Sequence, residues 1–195
     1  MQIRKLSLFA AAAVLALGSF AIGGVSVGEK APQFSLQDQD GRTVSLGDYH
    51  GKIIVLEWIN PQCPYVRRHA RAKTMLNLAD QYKDKDVVWL GIDSTRSDTQ
   101  ADDQAWIRKN GLPYPVLDDS NGQVGKAYGA KTTPHMFVID KDGKVVYEGA
   151  IDNDQEGDKG SARVNYVSQA LDEVLAGNPV SVPETKPYGC GVKYK

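Results

Sequence analysis

Cys63 is followed at once by Pro64 and then by a run with helical spacing. Proline is welcome at the first helical position, so Cys63 falls at a helix N-cap. A thiol there meets unpaired backbone N–H groups and the positive end of the helix dipole, and both favour the thiolate, which is the nucleophilic form. Arg67, one turn along, adds a positive charge, with His69 and Arg71 as further sources. The alternative is an inert buried thiol or half of a structural disulfide, because free cysteine is among the most buried residue types. Glu57 stands six residues before Cys63 in an otherwise apolar run. If buried there, its carboxyl holds its proton more tightly and can serve as a proton acceptor near the thiol. On an exposed strand edge, or paired with a lysine, it has no such role. Cys190 is the only other cysteine, and two in one chain permit a single intramolecular bridge.

These residues need elements to position them. Phe34–Leu36 and Thr43–Leu46 flank an Asp40-Gly41 turn and predict a hairpin. Ile53–Ile59 is a continuous apolar run broken only by Glu57, which suits a central strand covered on both faces. After Cys63 a helix is predicted from Pro64 to about Tyr82, with Tyr65, His69, Ala72, Leu76 and Ala79 on its apolar stripe. Val87–Ile92 predicts a second strand, Asp102–Asn110 a short helix, Pro113–Asp118 an extended piece and Asn121–Tyr128 a minor helix. His135–Ile139 and Lys144–Glu148 form a second hairpin, and Ser161–Ala176 a last helix with Val164, Val167, Leu171, Val174 and Leu175 on one face. Beyond it, Pro183, Pro187, Gly189 and Gly191 interrupt any pattern, so 180–195 reads as an irregular tail carrying Cys190. A strand-helix-strand unit followed by a hairpin and a helix builds an α/β domain around a mixed sheet with helices on both faces.

The chain opens like an export signal, with Arg4 and Lys5, an apolar run from Leu6 to Leu17, and small residues around Ser19 and Ala21. Cleavage after Ala21 leaves one domain (22–179) and the tail; an uncleaved leader would tether the chain loosely to a membrane. Lysines and arginines number 23 against 24 acids, and losing the leader removes two cations and no acid. The net basic field that nucleic acid requires is therefore absent. Export points to a periplasmic or other extracytoplasmic setting, where two cysteines can form a disulfide that the cytosol would keep reduced.

Three phrases in order carry a resemblance: Trp58-Ile59-Asn60-Pro61-Gln62-Cys63-Pro64-Tyr65-Val66, Tyr147-Glu148-Gly149-Ala150-Ile151-Asp152 and Thr185-Lys186-Pro187-Tyr188-Gly189-Cys190. Together with the Thr133-Pro134 pair, they resemble the thioredoxin superfamily, and within it the peroxiredoxin-like redoxins of the AhpC/TSA type, over about Val27 to Tyr194. The resemblance implies a thioredoxin-like fold, a reactive Cys63, a buried acid at Glu57 and a cis bond before Pro134 facing the cysteine, although local sequence alone favours trans. It also implies that Thr133, Pro134, Pro64 and Tyr65 meet the substrate. This sequence departs from the thioredoxin Cys-x-x-Cys, because Val66 takes the second position. It departs from the peroxiredoxin Pro-x-x-x-Thr-x-x-Cys as well, with Leu56 and Asn60 seven and three residues before Cys63.

The expected function is an exported thiol-disulfide oxidoreductase without cofactor. Cys63 attacks a disulfide or oxidised sulfur of a protein or small thiol, Arg67 supports the thiolate, Glu57 moves protons, and Cys190 resolves the product. An extracytoplasmic thiol donor then restores the pair. A thiol peroxidase using the same two cysteines is the first alternative. The second is a non-catalytic binding or copper-carrying module with a structural disulfide, suggested by His135 beside Met136; no metal site is assigned, and His69 is expected to pack or face solvent. Asp152-Asn153-Asp154-Gln155-Glu156-Gly157 begins like a calcium loop, but Arg163 stands where the bidentate acid belongs, so a solvated acidic loop is expected. Trp58, Trp89 and Trp106 read as core aromatics.

Overall fold

The computed structural model describes residues 23–194, so the leader expected at 1–21 lies outside the described residues. The first hairpin forms from β1 (Ser35–Asp38) and β2 (Thr43–Ser45), followed by a 3-10 turn at Leu46–Tyr49. The apolar run becomes β3 (Ile53–Ile59), with all seven residues buried. It lies parallel to β4 (Val87–Asp93), which in turn lies parallel to β5 (Val116–Asp118). Two further strands, β7 (His135–Ile139) and β8 (Val145–Gly149), complete the sheet in the order β2-β1-β5-β4-β3-β7-β8. β3 is therefore an interior strand, flanked by β4 on one side and antiparallel β7 on the other, which is why it reads as hydrocarbon broken only by Glu57.

Alternation along β3 separates two cores. Ile54, Leu56 and Trp58 face one side with Tyr128 and Phe137, whereas Ile53 and Val55 face the other with Met75, Tyr82, Val167 and Leu171. Glu57 shares the parity of this second face. Beyond it, at the end of β3, Ile59, Cys63, Val66, Trp106 and Val116 form a third cluster. The three tryptophans are core residues, as expected.

The long helix is two helices, α1 (Pro64–Arg71) and α2 (Thr74–Tyr82). Ala72 closes the first, and Lys73 adopts a left-handed conformation at φ 54°, a cost of about 1 kcal/mol for a residue with a Cβ. The break rotates the second helix. Val66 and His69 then face inward from α1 while Met75 and Leu78 do so from α2, leaving Ala72, placed on the apolar stripe by sequence, exposed. A helix dictated by periodicity alone could not make both contacts.

Helix α3 (Gln100–Asn110) begins two residues earlier than expected, because Thr99 caps it in a reciprocal box with Asp102. The extended piece after Gly111 shortens to β5, and the minor helix to α4 (Gln123–Tyr128). The last helix begins late, at α5 (Tyr166–Leu175), with the Asn165 side chain accepting from the Ser168 N–H. A 3-10 turn at Gly160–Ala162 precedes it, so Val164 is exposed rather than on the buried face. The tail is not irregular throughout. Its β9 (Cys190–Gly191) pairs antiparallel with β6 (Thr132–Thr133), the two residues before Pro134, in the register Thr133↔Cys190. Among the described residues, no helix is long and apolar enough to cross a membrane.

Candidate active site

β3 ends at Asn60-Pro61, the Asn60 side chain accepts from the Gln62 N–H at 2.7 Å, and α1 starts at Pro64 with Cys63 as its N-cap. The Cys63 sulfur lies 2.9 Å from the Thr133 carbonyl oxygen and 2.8 Å from the Cys190 sulfur. Both cysteines are free thiols. The Thr133-Pro134 bond is cis. Cys63 is only 2% exposed, with Val66 and Trp106 in its hydrocarbon cluster and Cys190 on the remaining side.

Burial alone would raise the Cys63 pKa. The Cys190 thiol, the Val66 N–H, the Thr133 hydroxyl and the Cys190 backbone N–H together outweigh it and bring the pKa below the ordinary value. Cys190, half-buried, moves the other way: burial and then the neighbouring Cys63 push its thiol up to about 11. Of the two supports expected for the thiolate, the helix end and Arg67, the first is present and the second points elsewhere. That side chain is exposed and donates through Nε to the Pro61 carbonyl at 2.8 Å, so its placed contact holds the loop before Cys63. The donors that lower the thiol pKa come from the helix end, from the tail and from Thr133 on β6's edge.

Glu57 is fully buried between β4 and β7, and desolvation raises its carboxyl to about 7. Its Oε2 accepts from the Tyr114 hydroxyl at 2.9 Å and the Trp89 indole at 3.4 Å. A cavity of about 20 Å³, lined by Glu57, Val66, Ala70, Met75, Trp106 and Tyr114 among others, has room for about one water. Val66, where thioredoxins carry their second cysteine, forms the wall of this cavity next to Cys63.

Of the residues expected to meet a substrate, Thr133 and Pro134 are buried beneath the tail, Pro64 is exposed, and Tyr65 packs on Tyr188 with ring centroids 5.9 Å apart. His69 is buried and bonded, not solvent-facing: Nε2 lies 3.0 Å from the Tyr188 hydroxyl and Nδ1 3.3 Å from the Thr74 hydroxyl. The loop at Asp152–Gly157 is not simply solvated. Asp154 accepts from the N–H groups of Gly157, Asp158 and Lys159, while buried Asp152 accepts from the Tyr188 hydroxyl. Nothing in the spacing of Asp152 and Tyr188 along the chain says that they touch. His135 is buried with Nδ1 accepting from the Lys131 N–H, and adjacent Met136 points to the opposite face of β7. Among the described residues no three His, Cys, Asp or Glu side chains gather as a metal site.

The AhpC/TSA family profile matches residues 27–148, more than half of the chain. The chain belongs to the AhpC/TSA family. It is similar to thiol-disulfide oxidoreductase ResA of Bacillus thuringiensis subsp. konkukian, at 31% identity over 64% of this chain and 69% of the relative. It is also similar to chloroplastic peroxiredoxin Q of Triticum aestivum, at 33% identity over 64% of this chain and 59% of that protein. Among solved structures, a hypothetical protein of Sinorhizobium meliloti 1021 superposes with a TM-score of 0.78 at 26% identity, covering 89% of this chain and 97% of its own. The fold is thioredoxin-like and the chain is an oxidoreductase of this family.

Proposed function

We propose that the protein is an exported thiol-disulfide oxidoreductase in which Cys63 attacks and Cys190 resolves. The observation that carries this reading is the pair of sulfurs 2.8 Å apart with pKa shifts of opposite sign. The Cys63 thiolate attacks one sulfur of a substrate disulfide RSSR, forming Cys63–S–S–R and releasing RS⁻. The Cys190 thiol then attacks Cys63, its proton passing to the second leaving thiolate, so the protein pair is oxidised as RSSR becomes two thiols. An external dithiol resets the pair. Glu57, half-ionised near neutrality, exchanges protons with the site through its small cavity. The leader pattern and the paired cysteines support an extracytoplasmic location.

A second reading uses the same pair as a peroxidase: the thiolate takes oxygen from a hydroperoxide to give a sulfenic acid, which Cys190 converts to the disulfide with loss of water. The tight enclosure of Cys63 favours so small an oxidant, and the missing threonine counts against it. Reduced protein mixed with glutathione disulfide or with hydrogen peroxide, then acid-quenched and weighed, separates the two. Under the first reading glutathione disulfide yields a Cys63–Cys190 bridge, and Cys190→Ser stalls as a Cys63–glutathione adduct. Bridge formation only with peroxide would transfer the assignment to the second reading.

A further inference from the structure

The tail is held by more than its two-residue strand. Tyr188, two residues before Cys190, is 8% exposed, yet its hydroxyl sits in a chain of polar groups. Burial and the surrounding arginines hold His69 down at about 4 against the pull of Asp152, so its imidazole is neutral at pH 7 and carries one proton. The Tyr188 hydroxyl donates to Asp152 Oδ1. His69 Nε2–H must therefore donate to the Tyr188 oxygen, and its Nδ1 accept from the Thr74 hydroxyl. The guanidinium of Arg68 covers the assembly, 5.6 Å from the Tyr65 ring centre and 5.8 Å from that of Tyr188, while Nη2 donates to the Asp154 carbonyl at 2.8 Å. Between this cluster and Cys190 stands Gly189 at φ 142°, where a Cβ would collide with the Thr133 carbonyl.

We propose that Tyr188, seated on Asp152 and His69, is a positioning residue that latches the tail so that Cys190 lies on Cys63. The proposal rests on the reading of Cys190 as resolving partner and extends it. The latched strand occupies the Thr132–Thr133 edge and shuts Cys63 from solvent, so the same contact that delivers Cys190 must loosen before a bulky disulfide can reach the nucleophile. Strength of the latch sets the effective concentration of Cys190 at Cys63.

The full chain, equilibrated in dithiothreitol redox buffers, reports that concentration as the equilibrium constant of the Cys63–Cys190 bridge. Tyr188→Phe keeps the ring and removes the hydroxyl; the constant is expected to fall at least tenfold, about 30 mV for this two-electron couple. The reduced variant should also react at least about fivefold faster at Cys63 with a bulky maleimide while its melting midpoint stays unchanged, which excludes general destabilisation as the cause. Asp152→Asn, which keeps an oxygen for Tyr188, should stay within about threefold of the parent. A Tyr188→Phe constant within twofold of the parent overturns the latch. Should that variant not fold, Thr74→Val carries the test, with at least a threefold fall expected and an unchanged constant overturning it. A parent that closes its bridge against oxidised dithiothreitol but exchanges with neither glutathione disulfide nor a protein disulfide would sink the proposed function and leave the latch standing; a parent that never closes removes both.

Discussion

Cys63 and Cys190 touch, yet one thiol is pushed below the ordinary value and the other up to about 11. Burial raises both. The difference lies in the donors: Cys63 sits at a helix start, where the Val66 N–H converges on its sulfur, and also receives the Cys190 thiol and the Thr133 hydroxyl. Cys190 lies on a two-residue strand with no helix end beside it, facing a neighbour that is itself disposed to carry negative charge. Each cysteine thus helps to set the other's state, and the pair has a built-in direction, attack by Cys63 and closure by Cys190.

The largest effect should come from removing the favoured member. Cys63→Ser should abolish turnover, and the remaining Cys190, whose thiol is not lowered as that of Cys63 is, should alkylate at pH 7 more slowly than Cys63 does in Cys190→Ser, because less of it is thiolate. Equal reactivity in the two single-cysteine proteins would erase the asymmetry.

The acid behind Val66 gives the next effect. Glu57 holds its proton to about 7 in the folded chain against 4.5 normally, so the folded state binds the extra proton and loses stability as pH rises from about 4.5 to about 7, with a constant penalty above. Glu57→Gln removes that loss. Relative to the parent, it should gain on the order of 3 kcal/mol between pH 4 and pH 8 in denaturant titrations. The same variant should exchange disulfides about a hundredfold more slowly at neutral pH if Glu57 serves as the proton acceptor.

Smaller again is the contribution of the tail's sulfur to the nucleophile. Cys190→Ser retains a donor and Cys190→Ala does not, so the Cys63 alkylation midpoint should lie higher in the alanine variant; coincident midpoints would make the helix start sufficient. Smallest is Arg67→Ala. Because its guanidinium serves the Pro61 carbonyl, the midpoint should barely move, and a marked upward shift would restore Arg67 as the thiolate's counter-charge.

Much of the nucleophilic half was legible in the sequence because its causes are local. Seven consecutive strand residues, the Asn60-Pro61 stop, Pro64 after Cys63 and the charge pattern of α1 lie within about twenty residues and act through hydrogen bonds and sterics that need no distant partner. The break at Lys73 was not legible, since it answers the separate packing demands of Val66 and Met75 in two different clusters. The burial of Glu57 was legible through the family resemblance alone, since its physical cause is β4 and β7 closing over it and Tyr114 arriving from another segment.

The resolving half belongs to tertiary structure. Cys190 reaches Cys63 across 127 residues of chain, placed there by pairing with Thr133 and by Tyr188 finding Asp152 and His69 from two other elements. Residue types could say that a thiol at 63 would be reactive and that a second was available. Only the folded chain could decide that they meet, because contacts between distant segments depend on the sum of packing across the sheet and leave no periodicity to read.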